Sequence, residues 1–283
     1  MRRLSILAVV SGISLFALPL HAQLDNVSNQ TEITSIPVGG TPVVSAAEIN
    51  QPAPRLPDGK PDLSGPWVGG GTNNNFVSDA KLKKEDLERL MQPWAREVWK
   101  SRKIEDEPYT ACLPQGPLRV NPYPWRIVQS YTAKGMSHIF ILHETGDAGA
   151  HRQVFMDGRQ HPKPDDIFPT WFGHSIGHWE GDTLVVDTVG FNDKSWYDAT
   201  GVPHTEKLHL IERFTRPNYG SLNVDVTLDD PGTFTQPLNL HFTARRIRSD
   251  LDLMEFICLE DNEYGKAGNF VPANENGVRA PAK

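Results

Sequence analysis

The sequence predicts a mainly β fold: an antiparallel meander of about ten short strands closing into a barrel, with a short helical lid. Three observations predict it. From Trp125 onward, alternating apolar and polar residues are broken by turns rich in Gly, Asp, Asn and Pro. Only residues 78–102 carry a convincing helical pattern. A meander of this many strands would leave two exposed edges, and closing the barrel removes them.

At the start of the chain, Arg2-Arg3 followed by the apolar run Leu4–Leu20 reads as a bacterial-type secretory signal peptide. His21-Ala22 offers a small residue before a cut ahead of Gln23, which implies a periplasmic address. The competing reading is a membrane anchor, which needs about 17 apolar residues. Ser5, Ser11, Gly12 and Ser14 weaken that span. Residues 23–60, rich in Pro, Ser, Thr, Asn and Gly, read as an extended or disordered leader. Residues 61–263 form one barrel domain with the helical insertion 78–102, and 264–283 a flexible tail.

Within the domain, Leu63–Gly69 is the first strand. Its Gly65-Pro66-Trp67 resembles the Gly-x-Trp of lipocalin-like barrels, where the tryptophan plugs the closed end; a plain core tryptophan is the competing reading. Leu87, Leu90, Met91, Trp94 and Val98 fall at helical spacing. Pro93 suits a first helical turn after Gln92, so two short helices or one kinked helix are expected, packed on the barrel as a lid. The proline-rich loop Ala111–Pro124 carries Cys112 and Arg119. The remaining strands are Trp125–Tyr131, Met136–Glu144, Arg152–Met156, Ile176–Trp179, Thr183–Val189, Thr205–Thr215, Leu222–Leu228, Leu238–Ile247 and Leu251–Leu259.

The chain has 28 basic and 35 acidic residues, a net charge of −7. Such a surface argues against nucleic acid and anionic membrane, leaving small molecules as the default partner. In an oxidising compartment the two cysteines, Cys112 and Cys258, are expected to form a disulfide, with two buried free thiols as the alternative. The sequence leaves oligomeric state open.

Phosphate loops, dinucleotide fingerprints and haem-attachment motifs are absent, so no cofactor is expected. Gly173-His174-Ser175-Ile176-Gly177 fits the bare G-x-S-x-G string, but a strand follows where a nucleophile elbow requires a helix. His174 and His178, on one face of a strand, would stand roughly 13 Å apart, too far to share a metal ion. The remaining chemistry is acid–base. His174 is the candidate general base or acid, Asp187 on the next strand its partner, and Arg152 or Arg213 the group that stabilises developing charge. Trp67, Trp125, Trp171, Trp179, His143 and His178 are candidate substrate-binding residues.

On this reading the protein is a cofactor-independent lyase, dehydratase or isomerase acting on an aromatic or sugar-derived small molecule in the barrel mouth. The alternative is a non-catalytic, lipocalin-like small-molecule binding protein. The enzyme reading requires His174, Asp187 and an arginine to converge in one sheltered hollow. The strings PDLSGPW, CLPQGPLR, FMDGRQHP, PTWFGHSIGHWEGDTLVVDTVGFND and EFICLEDNEY resemble a broad, mostly uncharacterised family of exported bacterial proteins. That resemblance implies a shared fold and a periplasmic address, and no particular activity.

Overall fold

Nine strands close one barrel in chain order: β1 Gly65–Gly69, β2 Trp125–Thr132, β3 Gly135–His143, β4 His151–Phe155, β5 His174–Glu180, β6 Thr183–Val189, β7 His209–Thr215, β8 Ser221–Asp229 and β9 Leu238–Arg246. The structure is a computed structural model that describes residues 41–72, 75–120, 123–145, 151–255 and 258. These lie in a unit that begins at Pro37. The expected signal peptide and tail lie outside the described residues. Among the described residues, no helix is long and apolar enough to cross a membrane.

The first nine expected strands are present. The tenth, expected over Leu251–Leu259, has no strand among its described residues: 251–255 adopt no regular structure, and 256, 257 and 259 lie outside the described residues. The reason is closure. β1 pairs directly with β9 through Trp67↔Arg246, Val68↔Arg245 and Gly69↔Ala244, so no free edge remains for another strand.

A second correction concerns direction. β4 and β5 run parallel, through Val154↔Ser175 and Phe155↔Ile176, whereas the other neighbouring strands are antiparallel. The connection from Met156 to Gly173 is long enough to cross over and return the chain in the same sense, which a tight hairpin cannot do.

Strand alternation sorts the side chains into an inner and an outer set. The inner set includes Trp67, Trp125, Ile127, Ile139, Ile141, Val154, Leu184, Val186, Phe214, Val224, Val226, Leu240 and Ala244, all buried. Trp67 lies at one end of this core, its indole N–H donating to the Leu63 carbonyl at 3.0 Å. The guanidinium groups of Arg216 and Arg246 lie 4.9 and 5.6 Å from its ring centroid, close enough for cation–π attraction. Gly65 makes this stacking possible. A Cβ there would fall 1.7 Å from an Arg246 guanidinium nitrogen, and its φ of +114° suits glycine alone. This end of the barrel is therefore plugged by the tryptophan of the Gly-x-Trp string.

The other end is covered by helices. α1 (Ala46–Ile49), in the expected leader, lies instead by the plugged end, where Val44 N–H bonds the Arg246 carbonyl and Gly220 N–H the Ile49 carbonyl. α2 (Phe76–Asp79), α3 (Lys84–Leu90), α4 (Pro93–Ser101) and α5 (Pro117–Val120) supply the lid. Pro93 occupies the first turn of α4, after Gln92 at its N-cap. The buried stripe is Leu87, Met91, Ala95 and Trp99, not the expected series ending in Trp94 and Val98. Met91 is extended and breaks the helix, so the second helix restarts its phase, and Trp94 is 43% exposed. Phe76 of α2 stacks on Tyr197 and Phe234, which also stack on each other. Cys112 and Cys258 are joined in a disulfide with Cα atoms 5.7 Å apart.

Candidate functional site

Two polar clusters sit toward the lidded end, one on each side of the barrel wall. The inner cluster is centred on Arg152 of β4, 2% exposed. Its Nη2 lies 2.5 Å from Glu212 of β7, which is fully buried. Arg152 Nε donates to Ser175 Oγ at 3.0 Å and Nη2 to Thr188 Oγ1 at 2.6 Å. Ser175 and Thr188 also share a hydrogen bond of 2.9 Å. Despite the ion pair, neither Glu212 oxygen receives a well-aligned hydrogen bond among the described residues. His143, at the end of β3, is in the same condition: both ring nitrogens are buried without a hydrogen-bond partner among those residues, as is the hydroxyl of Thr145. Burial, followed by the nearby charge of Arg152, pushes the His143 imidazole down to about 3, so it is neutral at ordinary pH.

The outer cluster lies across β5, β6 and β7. The register sets His174 opposite Val189 and Ile176 opposite Asp187. Asp187 in turn faces Ile211, so His174, Asp187 and His209 share the outer face. His209 Nε2 lies 2.8 Å from Asp187 Oδ1. Between Asp187 and His174 stands His161, carried in by the Met156–Gly173 crossover. Its Nε2 is 3.2 Å from Asp187 Oδ1 and its Nδ1 is 2.9 Å from His174 Nδ1. The hydrogen bond with His209 holds the Asp187 carboxyl below its usual range. The same bond raises the His209 imidazole. Burial, then the neighbouring His161 and Arg159, lowers His174. No group of three or more His, Cys, Asp or Glu among the described residues is arranged to hold a metal ion.

The sequence-predicted residues are thus divided rather than gathered. His174 and Asp187 do fall on one face, but it is the outer wall. Arg152 lies on the inner side. Arg213 is outer but further along β7, pairing with exposed Glu180 at 2.5 Å. The expected shared interior hollow is corrected accordingly. Both faces of β6 carry valines, Val185 outward and Val186 inward, so apolar neighbours did not mark which side of Asp187 faces the core.

Trp67 and Trp125 are fully buried core residues whose indole N–H groups bond the carbonyls of Leu63 and Gly69. Trp171 is half-buried. Trp179 is half-buried against the core, with Lys60 5.8 Å from its ring centroid. His178 is exposed and 3.1 Å from Glu180. His143 belongs to the inner cluster. The residues that sequence reasoning missed are His161, His209, Glu212 and Arg159. His209 and Glu212 alternate along one strand and were legible as an outer and an inner position. His161, on a loop, gave no periodic signal.

A cavity of about 660 Å³ opens near the plugged end, lined in part by Ser64, Arg126, Gln129, Arg246 and Asp252. Its arginines are already engaged, Arg126 with Asp252 at 2.7 Å and Arg246 with the Ser64 carbonyl at 2.5 Å.

No family model matches the chain, and no curated protein matches it. Among solved structures, a crystal structure of a point mutant of the fluorescent protein UnaG is similar at 12% identity. It covers 46% of this chain and 76% of that one, with a TM-score of 0.27. A likeness this low carries no argument; the barrel is established by its own strand pairing.

Proposed function

We propose that the protein binds a small polar molecule at the lidded mouth of its barrel, against His143, Arg152 and Glu212. The observation that carries this reading is the set of buried atoms without a hydrogen-bond partner among the described residues: both nitrogens of His143, the Thr145 hydroxyl and Oε1 of Glu212, whose Oε2 is ion-paired with Arg152. Native proteins leave few such atoms unpaired, because each costs about 1–3 kcal/mol. A ligand offering donors to Glu212 and both kinds of group to a neutral imidazole would satisfy them. Ligand sites commonly combine an apolar wall with a few converging polar groups, and here the wall is the barrel core.

The test is native mass spectrometry of the full chain, purified without refolding, alongside a high-resolution crystal structure. A bound mass of a few hundred daltons, lost in Glu212→Gln or His143→Phe, is expected. An unliganded mass together with density for water alone around His143 and Glu212 refutes the reading.

A second reading, acid–base catalysis by a lyase, dehydratase or isomerase, is favoured by a separate observation, the His174–His161–Asp187 chain on the outer wall. A substrate screen in which His174→Ala and Asp187→Asn leave turnover intact removes it.

A further inference from the structure

With His161 neutral, the outer cluster permits one consistent placement of hydrogens. Asp187, its carboxyl held low, only accepts. Its Oδ1 lies within hydrogen-bond reach of Nε2 on both His161 and His209, so both of those nitrogens carry hydrogen. A neutral His161 with hydrogen on Nε2 has a lone pair on Nδ1. The 2.9 Å contact between the two Nδ1 atoms is then a bond donated by His174 to His161. His174 must therefore keep its lone pair on Nε2. The hydrogen bonds all point one way, from His174 through His161 to Asp187, with His209 fixing the carboxylate from the other side.

We propose that His174 is the general base of an outer-wall site for a small carbon or oxygen acid, and that His161 is the positioning residue that relays its proton. The proposal rests on the second, acid–base reading above. In the proton-transfer step, His174 Nε2 accepts a proton from the small acid, whose bonding pair stays behind on that molecule. The Nδ1 hydrogen of His174 passes to Nδ1 of His161. One proton has entered the chain, and the positive charge rests on His161 beside Asp187. Reversal returns the proton, so the same chain serves as general acid. Neutral imidazoles suit such exchange because their ordinary pKa lies near neutrality.

His161→Gln separates relay from scaffolding. The glutamine carbonyl accepts from His174 and its amide donates to Asp187, so a merely structural bridge is rescued, yet the amide cannot take a proton. The experiment is ¹⁵N-histidine NMR of the full chain from pH 5 to 8, with diethyl pyrocarbonate as a probe of the His174 lone pair. In the wild type near pH 8, His174 is expected as the Nδ1–H form and His161 as the Nε2–H form, and acidification protonates His161 Nδ1. In His161→Gln the amide cannot take the proton, so acidification should leave His174 itself with hydrogen on both nitrogens, whereas in the wild type His174 should exchange its Nδ1 hydrogen for one on Nε2.

Near pH 8, a His174 carrying its hydrogen on Nε2 overturns the relay. So does a His161→Gln chain whose acidified His174 shows a single hydrogen on Nε2 as the wild type does, or stoichiometric zinc binding at the cluster, since the ion would occupy the lone pairs. If the tautomers are as stated but diethyl pyrocarbonate leaves His174 unmodified, the relay geometry stands and the acid–base reading fails, so the two are told apart.

Discussion

Acid should unfold this protein partly through His143, and the size of the effect can be worked out. The unfolded chain binds a proton at this imidazole below about pH 6.5. The folded chain does not until about 3, because the ring is buried and near Arg152. The folded-state value is depressed, so the unfolded state holds more protons between these two values and stability falls as pH falls across that window. Each pH unit well below 6.5 costs about 1.4 kcal/mol, so moving from pH 7 to pH 5 removes about 2 kcal/mol through this one group. The assay is urea denaturation of the oxidised protein at both pH values, for wild type and for His143→Phe. The phenylalanine ring is similar in size and does not titrate, so the variant should lose about 2 kcal/mol less than the wild type between the two pH values. Other titrating groups, including the buried His204, are common to both chains and cancel. Equal pH dependence in the two proteins would refute the reasoning, because His143 would then be able to protonate in the folded state.

Three further perturbations test the fold. Arg152→Met should destabilise by about 3–5 kcal/mol, leaving Glu212 buried and uncompensated, whereas Arg152→Met with Glu212→Leu should recover much of that loss in denaturant titrations. Replacing both Cys112 and Cys258 by serine opens a link across a sequence separation of 146; chain entropy predicts a loss of about 5 kcal/mol, and an unchanged urea midpoint would contradict it. Gly65→Ala should cost more than about 1 kcal/mol by calorimetry, since the new methyl meets Arg246 at a positive φ. Arg246→Ala in the same chain should relieve the steric part of that cost.

Most of the barrel was legible in the sequence, since strand alternation and turn residues are local signals. Thr183–Val189 is the same segment in both readings, and Pro93 correctly split the lid helices. Three features were not legible. Alternation says that His174, Asp187 and His209 share a face, but curvature and closure decide which face is inside. The parallel β4–β5 pair depends on where a long connection runs, and residues 156–173 have no period that reports it. The tenth strand was excluded by a neighbour far away in sequence, β1, which takes up the edge of β9. The candidate site suffered most from the second gap: His161, which joins His174 to Asp187, arrives on that crossover.

The crossover also leaves a thin seam in the wall. β2 and β3 meet along eight residue pairs, as do β8 and β9, but β4 and β5 meet along only two. Few main-chain bonds close the cylinder there, and Arg152 stands at this place. From β4 it reaches Ser175 on β5, Thr188 on β6 and Glu212 on β7. One guanidinium thus acts as a clasp over a short join, supplying with side-chain bonds the cohesion that a longer ladder provides elsewhere. The same charge that tunes the mouth keeps the barrel shut.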